Sequence, residues 1–294
     1  MVSRRYGAHD VFLSVIGFGG ICVMNEPERD AARIVSRAVE RGVNYFDVAP
    51  SYGNAEERLG PALEPYRKQM FLACKTNVRD ADGAEREFRS SQRLLRTEHI
   101  DLYQLHGIET EDDVDRILAP DGALELLTRL RAAGEVRFLG FSAHNEVAAL
   151  RLLDAFAFDS VLFPINWRAW HAGGIGPRLV DRARTRGTAV LALKALADRR
   201  LHDGEETAYP KAWYKPLSTY EEAEQAIRFT LSRPVTAAVS PGHEELLWWA
   251  CDAAEGFFAL TDEEERELRR RAVAASGGEG EREEPVFSRD ITGI

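Results

Sequence analysis

Cysteine is scarce in this chain of 294 residues: Cys22, Cys74 and Cys251 lie far apart, and no two of them form a Cys-x-x-Cys pair. The sequence therefore indicates neither a disulfide framework nor a zinc site, and no bound metal is expected. It also lacks an apolar run of the length that spans a bilayer, so we expect no association with a membrane.

Runs of basic residues are missing too, and the formal net charge is −10 at pH 7. Proteins that bind nucleic acid usually carry clustered Lys and Arg, so we expect no nucleic-acid partner. The N-terminal residues MVSRRYGAHDVF contain neither a long apolar core nor a small-residue cleavage pattern, which argues against a signal peptide. Together these features predict a cytoplasmic protein, whose oligomeric state the sequence leaves open.

The most informative stretch is residues 43–60, VNYFDVAPSYGNAEERLG. It is typical of a short strand over 43–48, a tight loop over 49–54, and a helix whose first turn is capped by Asn54. Asp47 thus lies near the end of a strand, and Tyr52 lies on the loop after it. Taken alone, the pair fits two interpretations: a reactive carboxylate and phenol in a pocket, or a loop-capping carboxylate with a ring packed over it.

Two further apolar runs end in groups that can take part in chemistry. The run FLAC ends at Lys75, and the run LYQL ends at His106. Asp47, Lys75 and His106 follow one another at intervals of about one strand plus one helix. In a closed β/α barrel the carboxyl ends of the strands meet at one mouth, so we expect Asp47, Tyr52, Lys75 and His106 to converge there.

The rest of the chain repeats this alternation of strand and helix. Strands are expected to end near residues 20, 47, 75, 106, 142, 166, 194 and 240, the first over 11–20, with one helical region reaching 133 after the fourth. Eight such units predict an α/β fold, a (β/α)8 TIM barrel, as a single domain over residues 1–294. A capping box of Thr261 and Glu264 starts a C-terminal helix, and residues 276–294 are typical of a loose tail.

One connection is unusually long. Residues 195–218 contain the stretch HDGEETAYPKAWYKPLS and exceed the length of a plain connection, which predicts a functional loop at the barrel mouth. Within it, Trp213 and Tyr214 fit two roles: they form a wall for a substrate or cofactor, or they cover the top of the barrel.

The segments DVAPSYGNAEERLG, LACKT and QLHG, in this order, closely resemble the aldo-keto reductase family. The resemblance extends from about Gly17 to the helix after Pro241 and so covers most of the chain. It implies reversible reduction of a small-molecule aldehyde or ketone to an alcohol with NADPH or NADH. It also implies the catalytic residues, which are Asp47, Tyr52, Lys75 and His106.

These four residue types suit that reaction. A nearby ammonium lowers the pKa of a phenol, so Lys75 would prepare Tyr52 to give a proton as general acid. Asp47 would pair with Lys75 and hold it in place. His106 would donate a hydrogen bond to the carbonyl oxygen, where negative charge grows. No side chain supplies a hydride, which a nicotinamide usually provides.

The resemblance also implies a set of residues that bind the cofactor. Ser142 matches the family serine that binds the nicotinamide carboxamide, and Asn166 matches the asparagine of a QxxYN pattern. The helix that starts after Gly242 can hold a phosphate at its N-terminus. The expected set is Gly19, Gly20, Asp47, Ser142, Asn166, Lys194, Gly242 and His243. The run Gly17-Phe18-Gly19-Gly20 does not have the spacing of a dinucleotide fingerprint, and we interpret it as a close backbone approach at the mouth.

Several cofactor positions depart from the family pattern. Leu162 stands where the glutamine of that pattern is expected, and Leu193 stands where an aromatic ring often stacks on the nicotinamide. Glu244 and Glu245 follow Gly242, where many relatives carry an arginine for the 2′-phosphate. The choice between NADPH and NADH therefore stays open, and we expect either poor discrimination between them or weaker binding of both than in a relative with the full motif.

Two other functions remain as alternatives. The first is a non-catalytic barrel with a weakened cofactor site, which serves as a sensor or partner subunit. The second is a metal-dependent hydrolase that uses Asp47 and His106. The sequence lacks the paired His-x-His or the carboxylate clusters that such a metal would need, which disfavours the hydrolase.

Overall fold

A computed structural model describes residues 1–202 and 204–275 of the chain. Its strands fall into a closed barrel and two small antiparallel pairs. In chain order the strands are β1 (Ser3–Arg5), β2 (Phe12–Ser14), β3 (Ile16–Gly19), β4 (Tyr45–Asp47), β5 (Phe71–Thr76), β6 (Ile100–Ile108), β7 (Val136–Ala143), β8 (Ser160–Pro164), β9 (Ala189–Leu193), β10 (Ala197–Arg199), β11 (Lys215–Pro216) and β12 (Ala237–Val239).

Helices surround the barrel and fill most of the connections between its strands. They are α1 (Glu28–Glu40), α2 (Ala55–Leu63), α3 (Ala81–Leu94), α4 (Glu111–Leu118), α5 (Ala123–Ala132), α6 (Glu146–Ala155), α7 (Trp167–His171), α8 (Pro177–Arg186), α9 (Tyr220–Leu231), α10 (Glu244–Glu255) and α11 (Asp262–Ala275). Among the helices of the described residues, none is both long and apolar enough to cross a membrane.

The barrel consists of eight parallel strands in the order β12-β3-β4-β5-β6-β7-β8-β9, and β9 pairs with β12 to close it. Each strand pairs with its neighbour in the sequence, as successive right-handed β/α units do. This architecture confirms the predicted (β/α)8 TIM barrel.

Side chains alternate between the lumen of the barrel and the layer beneath the helices. On β5, Phe71 and Ala73 belong to the apolar cluster of the lumen, whereas Leu72 and Cys74 pack under the helices. Because the period of a strand is two residues, Lys75 continues the lumen row at the upper end of β5. The side chains of the other long strands alternate in the same way up to the mouth.

The hairpin of β1 and β2 closes the lower end of the barrel. Tyr6 and Leu13 are completely buried there. The ring of Tyr6 lies 5.3 Å from that of Phe71 and 5.2 Å from that of Phe138, between ring centroids. The lower lumen is therefore filled by side chains, and the polar groups lie toward the mouth.

The N-terminal part differs from the expected single strand over 11–20. The chain forms β2 and β3 instead, which belong to different sheets. Ser14 lies at the change of direction, where its backbone N–H donates to Asn44 Oδ1 at 2.7 Å and its hydroxyl donates to the Ile16 carbonyl. The contact with Asn44, 30 residues away, fixes a break that the local sequence does not mark.

Two helix predictions also needed correction. The expected helical region up to 133 consists of two helices, α4 and α5, which are separated by Pro120, Asp121 and Gly122, residues typical of a turn. Asn54 precedes α2, but its side chain caps none of the helix N–H groups and instead accepts from the backbone of Asn25 at 2.7 Å.

The predicted start of the C-terminal helix is confirmed. The Thr261 N–H donates to the Glu264 carboxylate at 2.8 Å, and the Glu264 N–H donates to the Thr261 hydroxyl at 3.3 Å. The predicted loose tail over 276–294 lies outside the described residues, and the single-domain assignment stays a prediction.

Gly17 is glycine for a reason other than the expected backbone approach. A Cβ atom at this position would lie 2.5 Å from Cδ1 of Tyr45, whose ring fills the lumen beside it. Gly19 fits the expectation better, because a Cβ there would lie 2.2 Å from the Ser240 carbonyl oxygen. Gly20 likewise meets the backbone and side chain at 47–48.

Candidate active site

Lys75 is the centre of the polar cluster at the barrel mouth. Its side chain is fully buried at the end of β5. Its ammonium donates to Asp47 Oδ1, to the Val48 carbonyl at 3.2 Å and to the Tyr52 hydroxyl at 3.3 Å. An ammonium has three donors, so these contacts satisfy all of them.

The charge of Lys75 is maintained by its partner. Burial by itself lowers the pKa of Lys75, but the carboxylate of Asp47 and the contact with Tyr52 outweigh burial, and the pKa is raised above its ordinary value. Lys75 is therefore a fixed positive charge next to the phenol of Tyr52 at neutral pH.

Asp47 uses both carboxylate oxygens. Oδ1 binds Lys75, while Oδ2 accepts hydrogen bonds from the Tyr45 hydroxyl at 3.0 Å and from Gln104 Nε2 at 2.9 Å. The carboxylate is 2% exposed, and a buried charge is tolerated only when it is paired and hydrogen-bonded. All four groups lie on the adjacent strands β4, β5 and β6.

Tyr52 lies on the loop between β4 and α2. A turn fixes the loop, because the Tyr52 N–H donates to the Ala49 carbonyl at 3.0 Å. The ring is half-buried, and its centroid lies 4.9 Å from Lys75 Nζ. The ring of Trp213 lies 6.1 Å away, between centroids, so the long connection forms one wall beside Tyr52.

His106 completes the cluster from the upper end of β6. Its ring stands edge-on to that of Tyr52, with centroids 5.8 Å apart. Its Nδ1 lies 3.4 Å from the Ser51 hydroxyl. The next residue, Gly107, has φ of 61° and donates its N–H to Ser142 Oγ at 2.8 Å. The side chain is thus held where β6 leaves the barrel.

The structure brings Asp47, Tyr52, Lys75 and His106 together at one mouth, as the spacing predicts. This arrangement favours the interpretation of Asp47 and Tyr52 as a reactive pair over that of a loop cap. A charged donor, a phenol and an imidazole face the same opening, and they can bind and protonate an oxygen of a small molecule. Their catalytic roles stay predictions.

Two of the predicted cofactor residues, Gly19 and Gly20, lie where β3 meets β12. The Gly19 N–H donates to Ser240 Oγ at 3.0 Å. Gly20 begins a short 3₁₀ helix that ends at Val23. The absence of side chains at 19 and 20 lets the strand ends pack closely on this side of the mouth.

Ser142, Asn166 and Lys194 lie at the ends of β7, β8 and β9. Asn166 caps α7 by accepting from the Ala169 N–H at 2.9 Å, and its Nδ2 donates to the Lys194 carbonyl at 3.2 Å. Lys194 has φ of 61°, a left-handed conformation that costs energy for a residue with a side chain. Such strain is typical of residues that a site holds in place.

Gly242 and His243 contact the long connection rather than the polar cluster around Lys75. The Lys211 N–H donates to His243 Nε2 at 3.0 Å, and Lys211 Nζ binds the Cys22 carbonyl at 2.9 Å. Burial and the charge of Lys211 lower the pKa of His243. A Cβ at Gly242 would lie 2.9 Å from that of Lys211, so glycine is needed for this contact.

The two glutamates after His243 are already engaged. Glu244 binds Arg33 through two hydrogen bonds of 2.7 and 2.8 Å and accepts from Trp248 Nε1 at 3.0 Å. The hydrogen bonds from Arg33 lower the pKa of Glu244. Glu245 accepts from the Tyr209 hydroxyl at 3.0 Å. The start of α10 therefore carries two carboxylates that already have partners, Arg33 for Glu244 and Tyr209 for Glu245.

The residues of the mouth fit a nicotinamide better than a 2′-phosphate. The Ser142 hydroxyl accepts from Gly107 and keeps its own proton for donation to a carboxamide. Leu162 belongs to the lumen cluster and Leu193 packs against it, so both can offer a nicotinamide ring an apolar surface. The roles of the expected cofactor residues stay predictions.

Within residues 1–202 and 204–275, no group of three His, Cys, Asp or Glu side chains is placed to hold a metal ion.

Tyr45 and Gln104 contact Asp47 and were not predicted from the sequence. Each lies two residues before a predicted site residue on the same strand. The two-residue period of a strand was the signal that could have revealed them.

Comparison with known proteins identifies the family of this chain. A model of the Aldo/keto reductase family matches residues 15–231. An uncharacterized oxidoreductase, YqkF, of Bacillus subtilis (strain 168) is 32% identical over 157 residues, which is 49% of this chain and 49% of that protein. A 6-dehydroglucose reductase of Novosphingobium aromaticivorans is 29% identical over 169 residues, covering 50% of this chain and 54% of that protein.

The chain spans about half the length of the curated relatives it matches. Among solved structures, the holo form of aldo-keto reductase AKR11C1 from Bacillus halodurans has a TM-score of 0.72 and 24% identity. That match covers 96% of this chain and 100% of the other, and it supports the same barrel fold. With the family model matching most of its length, this chain belongs to the aldo/keto reductase family.

Proposed function

We propose that the protein is a nicotinamide-dependent oxidoreductase that reduces a small-molecule aldehyde or ketone to an alcohol, with Tyr52 as the general acid. The observation that carries the proposal is the buried chain of contacts from Asp47 through Lys75 to Tyr52, next to His106. These contacts place a fixed positive charge against a phenol at the mouth of the barrel.

The side chains would act on the carbonyl oxygen. His106 donates a hydrogen bond to that oxygen as negative charge develops on it, which stabilises the transition state. Tyr52 transfers its proton to the same oxygen and becomes a phenolate. Lys75 stabilises the phenolate through the 3.3 Å contact, and Asp47 keeps Lys75 charged and in position.

A reduced nicotinamide, when bound, supplies the hydride that adds to the carbonyl carbon. Ser142 and Asn166 are the groups we expect to bind its carboxamide, and Leu162 and Leu193 would contact its ring. Gly19, Gly20, Lys194, Gly242 and His243 would bind the remainder. The carboxylates at the start of α10 lead us to propose that NADH is accepted about as well as NADPH.

The ring beside Tyr52 bears on the class of substrate. The ring of Trp213 beside Tyr52 offers a flat surface, and such surfaces bind the C–H face of sugar and aromatic rings alike. One relative is named as a 6-dehydroglucose reductase. We therefore include oxidised sugars among the first carbonyl compounds to test, together with aromatic and aliphatic aldehydes. A cytoplasmic location is part of the same proposal, and cell fractionation tests it.

A non-catalytic barrel is the second candidate. It is favoured by Leu162 and Leu193, which lack the hydrogen-bonding amide and the aromatic ring expected at those positions. Such a protein would bind the cofactor without turning it over.

One experiment separates these possibilities. The purified protein is titrated with NADPH and with NADH while its fluorescence is followed, and oxidation of each cofactor is then measured with a panel of carbonyl compounds. Binding with turnover supports the reductase. Binding without turnover of any carbonyl compound supports the non-catalytic barrel, and absence of binding contradicts both.

A further inference from the structure

We propose that Tyr45 and Gln104 are positioning residues, which fix the carboxylate of Asp47 in the orientation that holds the Lys75 ammonium against Tyr52. The inference rests on the proposed function for its catalytic consequence. Its physical content, the anchoring of one carboxylate, is independent of the substrate and can be measured without turnover.

The anchoring is divided between the two carboxylate oxygens. Oδ2 accepts from Tyr45 at 3.0 Å and from Gln104 at 2.9 Å, and Oδ1 binds Lys75. Rotation of the carboxylate about its Cβ–Cγ bond would break the contacts on Oδ2. Two neutral donors on one side thus fix the geometry of the charged contact on the other.

The position of Tyr45 is itself fixed. Its side chain is fully buried, lies over Gly17 without space for a Cβ, and meets the ring of Phe71 edge-on with centroids 5.9 Å apart. Burial and the negative charge of Asp47 raise the pKa of Tyr45, so its hydroxyl remains a donor. A ring held on two sides can point its hydroxyl in few directions.

Gln104 donates a hydrogen bond to Asp47 through its amide nitrogen, while its amide oxygen is left without a partner among the described residues. The side chain is completely buried. A leucine would fill the same space in the lumen without leaving a buried acceptor unpaired. The amide is oriented with its N–H toward the carboxylate, because the reverse orientation would place two acceptors against each other.

The consequence for the site follows from the chain of contacts. Without the two donors, the Asp47 carboxylate is free to turn and offsets the burial of Lys75 less well, and Lys75 is no longer held 3.3 Å from the Tyr52 hydroxyl. The groups that act on the charge of Lys75 are Asp47, Tyr52, Glu56 and Cys74. Any titration of Lys75 has to be separated from that of Glu56.

The scarcity of lysine makes a direct test possible. The chain contains Lys68, Lys75, Lys194, Lys211 and Lys215 and no other lysine. Selective ¹³C labelling of lysine gives few signals, and Lys75→Met assigns the one from Lys75. The variants are Tyr45→Phe, Gln104→Leu and the double variant, with Tyr103→Phe as the matched control. The Tyr103 ring is also fully buried, but it faces Phe88 of α3 and not the site.

We expect the Lys75 signal of the unmodified protein to show no inflection between about pH 5 and about pH 9, since the pKa of Lys75 is raised above its ordinary value. The double variant should show an inflection in that range, which persists when Glu56→Gln is added. The Tyr103→Phe variant should behave like the unmodified protein. Near-ultraviolet circular dichroism checks that each variant is folded, and the single variants retain one anchor if the double variant fails to fold.

Kinetics supply the second readout. The double variant should lose about tenfold or more in kcat with little change in KM, and each single variant less, because the misplaced group acts in the transition state. An unmoved Lys75 signal in a folded double variant overturns the inference, whatever happens to kcat. If the Lys75 signal changes in the double variant while the unmodified protein reduces no carbonyl compound, the positioning role is supported and the proposed function is rejected.

Discussion

The two halves of the barrel mouth are built differently. On the side of β4, β5 and β6, side chains from separate strands bind one another, as in the contacts of Lys75 with Asp47 and Tyr52. On the side of β8, β9 and β12, polar groups bind mainly backbone, as Asn166 does with Lys194, and the lumen positions are Leu162, Leu193 and Val239. The first half is suited to moving a proton, and the second offers an apolar surface with few specific donors.

The comparison predicts that substitutions in the first half have the largest effects. Tyr52→Phe should reduce kcat for carbonyl reduction by about 10²- to 10⁴-fold while leaving cofactor affinity nearly unchanged, because only the hydroxyl is lost. Steady-state kinetics and fluorescence titration measure the two effects. Tyr66→Phe is the matched control, since its hydroxyl binds Ser36 away from the mouth. A Tyr52→Phe variant that keeps more than about a tenth of kcat would rule out Tyr52 as the acid.

Lys75→Met should also lower kcat, by about a hundredfold, and shift any remaining tyrosine-dependent step to higher pH. The charge that stabilises the phenolate is lost, while most of the side-chain volume is kept. The substitution leaves Asp47 buried without its partner, which destabilises the fold by about 3–5 kcal/mol.

The Lys75 prediction therefore needs two controls. The pair Asp47→Asn with Lys75→Met restores neutrality and should regain stability but not activity, as thermal unfolding and kinetics will measure. Lys68→Met, at an exposed position, should change neither. A pH–rate profile of Lys75→Met identical to that of the unmodified protein would show that Lys75 does not act on Tyr52.

On the second side of the mouth the expected effects are smaller. The dissociation constants of NADPH and NADH, measured at one ionic strength, should differ by less than a hundredfold, about 2.7 kcal/mol. Glu244→Gln weakens the binding of Arg33 and should shift the preference toward NADPH by about tenfold, because a released guanidinium can bind the 2′-phosphate. Glu255→Gln, at the other end of α10, is the control. A native preference for NADPH above a hundredfold would mean that another phosphate site exists.

The smallest effect concerns a carboxyl group behind the first half. Burial raises the pKa of Glu56, which lies against Cys74. The folded state therefore retains a proton that the unfolded state loses, so the contribution of Glu56 to stability is complete at acidic pH and is lost as pH rises. Glu56→Gln should gain melting temperature relative to the unmodified protein as pH rises from about 5 to about 8. A gain that is the same at both pH values, or equally present in the exposed neighbour Glu57→Gln, contradicts this.

The sequence was most informative where its pattern is local and periodic. The eight barrel strands and the meeting of Asp47, Lys75 and His106 follow from strand ends spaced by whole β/α units. Pro120, Asp121 and Gly122 also indicate the division between α4 and α5, but the predicted helical region did not include this break.

Features that depend on distant contacts were not predictable in this way. The break between β2 and β3 depends on Asn44. The side chain of Asn54 accepts a hydrogen bond from the Asn25 N–H instead of capping α2. The ends of the long connection, which form the antiparallel pair of β10 and β11, are likewise fixed by tertiary contacts. In each case a side chain has two possible partners, and only the folded chain decides between them.

The fit of Tyr45 over Gly17 has a consequence for the evolution of the barrel. A methyl group at position 17 and an aromatic ring at position 45 cannot occupy the same space, given the 2.5 Å separation that such a methyl would have from the ring. The two positions should therefore vary together among descendants of a common ancestor: lineages that keep the ring should keep the glycine, and a side chain at 17 should accompany a smaller residue at 45. Where that exchange has occurred, the carboxylate at position 47 depends on the donor at position 104 alone or on a new donor.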